Sequence, residues 1–250
     1  MIKQFMYTLS VRVGACACLA LSMLIFSATS HAALTLNNTR IVVSSDKRSA
    51  SVVVRNPSKS TYAVQTWINT EADDNTTVVP FATSPPFFKV SPESEQLLRI
   101  NVLPNSLPQD RESLFFFNMQ EIPHASAEPG NQLSIAMRTR IKLFYRPQQL
   151  KGKPTEQLES LTFSINERKG VKQLVINNPT PFHITFISLK VQTDGRGHKI
   201  DSAQMLPPLS RQAYALANVP LNASSSISFS VINDFGGYTQ PLTRPIQSTR

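Results

Sequence analysis

Residues Asn131–Pro147 read NQLSIAMRTRIKLFYRP, and the fold turns on how this stretch alternates. Leu133, Ile135, Met137, Ile141, Leu143 and Tyr145 occupy one parity, with Thr139 among them. Ser134, Arg138, Arg140, Lys142 and Arg146 occupy the other. Period-2 alternation is the pattern of a β-strand with one buried face. The run is long for a single strand. Fifteen residues at about 3.3 Å each would extend roughly 50 Å, whereas strands are usually about 5–6 residues. It is also strongly basic on its polar face, and neither its length nor its charge is explained by an ordinary core strand.

Outward from this stretch the chain keeps the same character. Short runs rich in Val, Ile, Thr and Phe recur on the N-terminal side: TRIVVS, SASVVVRN, TYAVQTWIN, QLLRINV and ESLFFFNMQEI. Prolines and Asn/Asp/Ser clusters separate them, and no long capped stretch of 3.6 periodicity interrupts them. This predicts an all-β chain built from sandwiches. The segment Pro147–Pro154, PQQLKGKP, is polar and proline-flanked and reads as a linker. A second strand series follows it: LTFSIN, KQLVINN, FHITFISLKVQ, RQAYAL and SSISFSVIN. Two β-sandwich domains are therefore expected, over residues 33–150 and 151–250.

The first 32 residues carry the three-part layout of a secretory leader. Lys3 and Arg12 are its only charges, Val13–Phe26 is apolar, and Ser30-His31-Ala32 matches a cleavage site after Ala32. The apolar run is shorter than the roughly 20 residues of a membrane span. Both cysteines, Cys16 and Cys18, lie in this leader, so the expected mature chain must stabilise itself without a disulfide. That mature chain has 23 basic residues (25 less Lys3 and Arg12) against 16 acidic ones, a net charge of +7. A basic exported protein suits acidic surfaces or carboxylates as partners. No motif for nucleic acid is present.

Chemistry is sparse. His124, His183 and His198 are far apart in sequence and show no metal-ligand spacing, and they read as surface or turn residues. There is no nucleophile elbow and no glycine-rich phosphate loop, so neither a cofactor nor a hydrolase is indicated. DFGG at Asp234 has none of the other parts of a kinase. The tripeptides at Asn37, Asn75 and Asn222 match N-x-[ST], a common pattern. A carbohydrate-binding sandwich would present clustered loop aromatics, yet Trp67, the single Trp, sits in a strand pattern and reads as core. More informative are charges set against apolar runs: Arg40 before Ile41-Val42-Val43, Glu112 before Leu114–Phe117, Arg146 at the end of the long strand, and Asp234 after SSISFSVIN. Charged strand ends are ordinarily solvated. The alternative is an Arg–carboxylate pair that fixes one domain against the other.

At LPQDRESLFFFNMQEIP, residues Leu107–Pro123, the sequence resembles the periplasmic chaperones of the chaperone–usher pilus pathway. TRIVV around Arg40, RIKLFYRP, NNPTPFHIT and INDFGGY resemble further motifs of that family, so the likeness spans nearly the whole mature chain. It implies two immunoglobulin-like sandwiches at an angle, with a cleft between them, and no enzymatic activity. It implies that Arg40 and Lys142 hold the C-terminal carboxylate of a pilus subunit. Glu112, Arg146 and Asp234 would form a buried inter-domain charge network. Leu133, Ile135 and Met137 would be the apolar residues of a strand lent to the subunit. The short connection PHASAEPG and the missing disulfide resemble the short-loop branch of the family. The implied partners are pilus subunits and an outer-membrane usher, in the periplasm, and an exposed lent edge implies self-association of the free protein.

Overall fold

The computed structural model describes residues 34–74, 76–122, 135–168, 170–201, 205–216, 219–222 and 224–247. The expected leader, the connection PHASAEPG, His124 and Leu133 lie outside them. Nine strands form the first half: β1 (Thr35–Leu36), β2 (Arg40–Ser44), β3 (Ser49–Arg55), β4 (Tyr62–Asn69), β5 (Phe81–Ser84), β6 (Phe87–Val90), β7 (Glu95–Val102), β8 (Ser113–Ile122) and β9 (Arg138–Arg146). Two single 3-10 turns follow, Pro154–Glu156 and Leu158–Ser160. The second half holds β10 (Thr162–Arg168), β11 (Val171–Asn178), β12 (Phe186–Thr193), β13 (Arg196–Lys199), β14 (Ser210–Ala215), β15 (Ser226–Val231) and β16 (Leu242–Pro245).

The strands pair into two sandwiches. In the first, a sheet of order β1-β3-β7-β5 faces a sheet of order β2-β9-β8-β4-β6. In the second, β10-β11-β14 faces β13-β12-β15-β16. Each half has its own core. Ile41, Val43, Val52, Val54, Leu98, Ile100, Phe117 and Leu143 are among the buried residues of the first. Leu158, Phe163, Leu174, Ile176, Val191, Ile227 and Phe229 are among those of the second. These are the alternate positions of Val/Ile/Phe-rich strands, so β-propensity and inward-facing periodicity agree.

The register of one sheet positions everything that follows. β2 runs parallel to β9, pairing Arg40 with Lys142 and Ser44 with Arg146. β8 runs antiparallel on the other side of β9, from Ser113 opposite Tyr145 to Gln120 opposite Arg138. The side chains of Ile41, Val43, Ile141, Leu143 and Tyr145 therefore enter the core. Arg40, Arg138, Arg140, Lys142, Phe144 and Arg146 are left on the sheet's outer face by the two-residue period. Within the quoted stretch, then, the odd parity is the core face only from Ile141 onward. Ile135 and Met137 are 66% and 50% exposed and lie beyond the end of β9. The backbone still continues the pairing there, because Glu121 N–H donates to the Met137 carbonyl at 2.9 Å.

The core of the first sandwich is filled chiefly by aromatic and branched side chains. Phe117, at the centre of β8, is fully buried, and Phe81 packs edge-on to Phe115 with ring centroids 4.9 Å apart. Truncating Phe117 removes a large buried surface and leaves a cavity. Phe117→Ala should destabilise the protein by about 3–5 kcal/mol in urea-induced unfolding. A loss below about 1 kcal/mol would show that the ring is not packed as described.

Candidate functional site

Arg146 is the last residue of β9, and its guanidinium bridges the two sandwiches. Its Nε donates to Glu112 Oε1 at 2.8 Å, and its two terminal nitrogens donate to the two carboxylate oxygens of Asp234, both at 2.8 Å. A planar fork matched to a carboxylate is the geometry that favours arginine over lysine. Glu112 is 4% exposed. Its second oxygen accepts from the His183 backbone N–H at 2.8 Å and lies 3.1 Å from His183 Nδ1. Glu112 N–H also donates to the Pro181 carbonyl at 2.9 Å, and the Arg146 guanidinium lies 5.2 Å from the Phe182 ring centre. The first sandwich thus supplies Glu112 and Arg146, and the second supplies Pro181, Phe182, His183 and Asp234. Burial opposes charge on Arg146, but hydrogen bonding to Asp234 and the fields of Glu112 and Asp234 outweigh it and raise the pKa.

The same outer face carries the two cations singled out in the sequence. Arg40 is buried, with 8% exposure. Its NH1 donates to the Ile232 carbonyl at 3.2 Å, and its guanidinium lies 5.7 Å from the Phe144 ring centre. Its Nε is buried with no hydrogen-bond partner. Burial lowers the Arg40 pKa, partly offset by Asp234 and Glu112. Lys142 is directly opposite Arg40 on the neighbouring strand, and among the described residues no acid lies within ion-pair distance of it. Its pKa is lowered by burial first and by Arg40 second. Like charges directly opposite on adjacent strands are destabilising. Two paired cations, one of them with a buried and unpartnered Nε, are a donor set chemically matched to a carboxylate. A small pocket beside Arg40 is lined by Arg40, Glu112, Phe144, Arg146, Pro154, His183, Ile232 and Asp234, and not by Lys142.

Three sequence readings are corrected here. His183 is not a surface residue. Its side chain is 7% exposed, hydrogen-bonded to Glu112 and tilted against Phe144 at 5.4 Å. Its partner Glu112 lies 71 residues away in sequence, so its local stretch NPTPFHIT does not reveal the contact. His198 is partly buried in β13, with a buried Nε2. Trp67 is not core. It stands on the outer face of β4, where the Arg138 guanidinium lies 4.9 Å from its ring centre. Charged strand ends are also not simply solvated, as Arg40 and Glu112 demonstrate. No group of three or more His, Cys, Asp or Glu able to hold a metal occurs among the described residues.

These features define a class of protein: two β-sandwiches joined through the ion pairs of Arg146, with Arg40 and Lys142 paired on neighbouring strands. Residues 33–151 match the pili and flagellar-assembly chaperone, PapD N-terminal domain, and residues 156–242 match the pili assembly chaperone PapD, C-terminal domain. The chain belongs to this family of fimbrial chaperones of the chaperone–usher pathway, which is made up of chaperones and not enzymes. It is 36% identical over 222 residues to the probable fimbrial chaperone YadV of Escherichia coli K12, covering 85% of this chain and 89% of that protein. It is 36% identical over 213 residues to the chaperone protein PapD of Escherichia coli, covering 82% and 84% respectively. The crystal structure of YadV superposes with a TM-score of 0.73 at 32% identity, covering 85% of this chain and 99% of that one. The SafB chaperone of Salmonella enterica, solved in complex with SafA pilin, superposes with a TM-score of 0.73 at 26% identity, covering 88% and 99%.

The charge network generates a stability prediction. Glu112→Ala would leave Arg146 and the His183 amide without their buried acceptor. Breaking a buried ion pair from one side costs about 3–5 kcal/mol. Urea unfolding of the full chain should register that loss, and Asp234→Ala, at a more exposed partner, should cost less. Equal and negligible effects would mean that the network does not hold the two sandwiches.

Proposed function

We propose that this chain captures pilus subunits in the periplasm by lending them a strand, pins the subunit's C-terminal carboxylate between Arg40 and Lys142, and hands the complex to an outer-membrane usher. The observation that carries the reading is the pairing of Arg40 with Lys142 at the point where β9 loses its second neighbour. β2 covers β9 only from Lys142 to Arg146. From Arg138 to Ile141 the side of β9 facing away from β8 has no strand among the described residues. An extended segment entering here would continue the line of β2, and its terminal carboxylate would arrive beside the two cations. Addition of a strand to an open edge is an established mode of recognition that includes chaperone–pilin pairs.

Each part of the site then has a task. Backbone groups on the open edge of β9 supply affinity, but backbone pairing alone does not set register. The carboxylate, held by charge-assisted hydrogen bonds, sets it. Ile135 and Met137, exposed and two residues apart, point apolar surface at the subunit, with Leu133 as the third member of the series. Burying each such side chain contributes roughly 1.5–3 kcal/mol. SafB supports the partner class, since that similar chaperone was solved with a pilin bound.

The test is capture. The tagged chain, expressed in the periplasm of a piliated host, should co-purify with pilin-like subunits. Arg40→Ala or Lys142→Ala should weaken capture by at least roughly 30-fold, the factor that corresponds to about 2 kcal/mol for one member of a desolvated charge pair. Their far-ultraviolet spectra and unfolding midpoints should remain close to wild type. Capture at wild-type strength by the double variant would remove the carboxylate mechanism.

A further inference from the structure

Arg138 opens β9, directly after Met137, and it anchors a closed ring of hydrogen bonds on the outer face. Its NH1 donates to Asp73 Oδ2 at 3.0 Å, and its NH2 and Nε donate to Asn118 Oδ1 at 2.6 and 3.2 Å. Asn118 Nδ2 donates to Asn69 Oδ1 at 3.0 Å, and Asn69 Nδ2 donates to Asp73 Oδ1 at 2.7 Å, which closes the ring. Asn69 and Asn118 are both buried. The guanidinium also lies over Trp67. Arg140 ties the same connection a second time. Its NH2 donates to the Thr70 carbonyl at 2.7 Å, and its guanidinium sits 3.8 Å from the Phe116 ring centre.

The ring does not hold the sheet together, because β4, β8 and β9 are already joined by continuous ladders. What it restrains is the end of β9 that, among the described residues, has a neighbouring strand on one side only. Asp73 meets Arg138 from the connection between β4 and β5, with a φ of 59°. That left-handed conformation is uncommon outside glycine, is tolerated best by Asp and Asn, and persists where the surroundings over-determine it. Hydrogen bonds from Arg138, then from Asn69, hold the Asp73 carboxyl down at about 2.

We propose that Arg138, Asp73, Asn69 and Asn118 are positioning residues for subunit capture: they clamp the start of β9 to the β4–β5 connection and hold Ile135 and Met137 in register before a subunit arrives. The inference rests on the lent-strand reading above. A strand end that is already straight and fixed loses less freedom when a partner pairs with it, so capture is faster and tighter than from a frayed edge. Neither Asp73 nor Asn69 touches the carboxylate pocket, so the clamp acts through β9 and not through the cations.

The test separates this from a bulk effect on folding. The Glu121 amide, which donates to the Met137 carbonyl, reports whether the pairing reaches past Arg138. Arg138→Ala and Asp73→Ala in the full chain should speed hydrogen exchange of that amide at least 10-fold. The association rate with the pilin that co-purifies with the wild type should fall at least 10-fold. The unfolding midpoint should move little, and Asp110→Ala, which removes the exposed Asp110–Arg111 pair, should change neither readout. Asp73→Ala leaves every residue of β9 in place, so agreement between the two variants excludes a defect of the strand's own sequence. Unchanged Glu121 exchange, or faster exchange with unchanged capture, would overturn the clamp while leaving subunit binding intact. A wild-type chain that captures no pilin would instead overturn the reading beneath it.

Discussion

Five residue pairs between β2 and β9 organise the candidate site. Their parallel register places Arg40 opposite Lys142 and leaves the first four residues of β9 without a second neighbour among the described residues. One short strand therefore sets the cation pair, the open edge and the distance between them. A slip by one residue would turn Arg40 toward the core and Ile41 toward the cleft, because side chains alternate with period 2. Burial of Ile41 and Val43 opposes that slip. The hydrophobic core thus fixes where the charges stand.

The charges themselves are arranged in two tiers. Arg146 is matched by two carboxylates and locks the sandwiches together. Arg40 and Lys142 are not matched by a contacting acid among the described residues, and burial depresses the pKa of each. A buried ion pair is a poor source of net stability but a strong constraint once both partners are in place. The matched tier joins the two sandwiches. A carboxylate is the group chemically suited to the unmatched tier.

Much of this was legible in the sequence, for identifiable reasons. Alternation in RTRIKLFYR predicts which side chains of β9 enter a core, and the tertiary structure follows it from Ile141 to Tyr145. The same alternation runs through Ile135 and Met137, yet those side chains are exposed. Periodicity reports a face and not what covers it, so only the family resemblance separated the two halves. Short strands such as Phe81–Ser84, Phe87–Val90 and Leu242–Pro245 carry too few residues for a periodic signal. His183 and Trp67 were misjudged because their surroundings come from other strands. Glu112 lies 71 residues from His183, and Arg138 lies 71 residues from Trp67. The ring through Asp73 and Asn69 had no sequence signal, since it depends on one left-handed residue and two cross-strand contacts.

The central claim is that a carboxylate sets the register of the captured strand. The most direct measurement compares the co-purifying pilin with the same pilin extended by two glycines at its C-terminus, in binding to the unaltered chain. The extension moves the carboxylate away from Arg40 and Lys142 unless the apolar residues slip out of register, so affinity should fall by at least about 30-fold, or roughly 2 kcal/mol. Equal affinity for the two pilins would contradict the account, because the cleft would then be reading something other than the chain terminus.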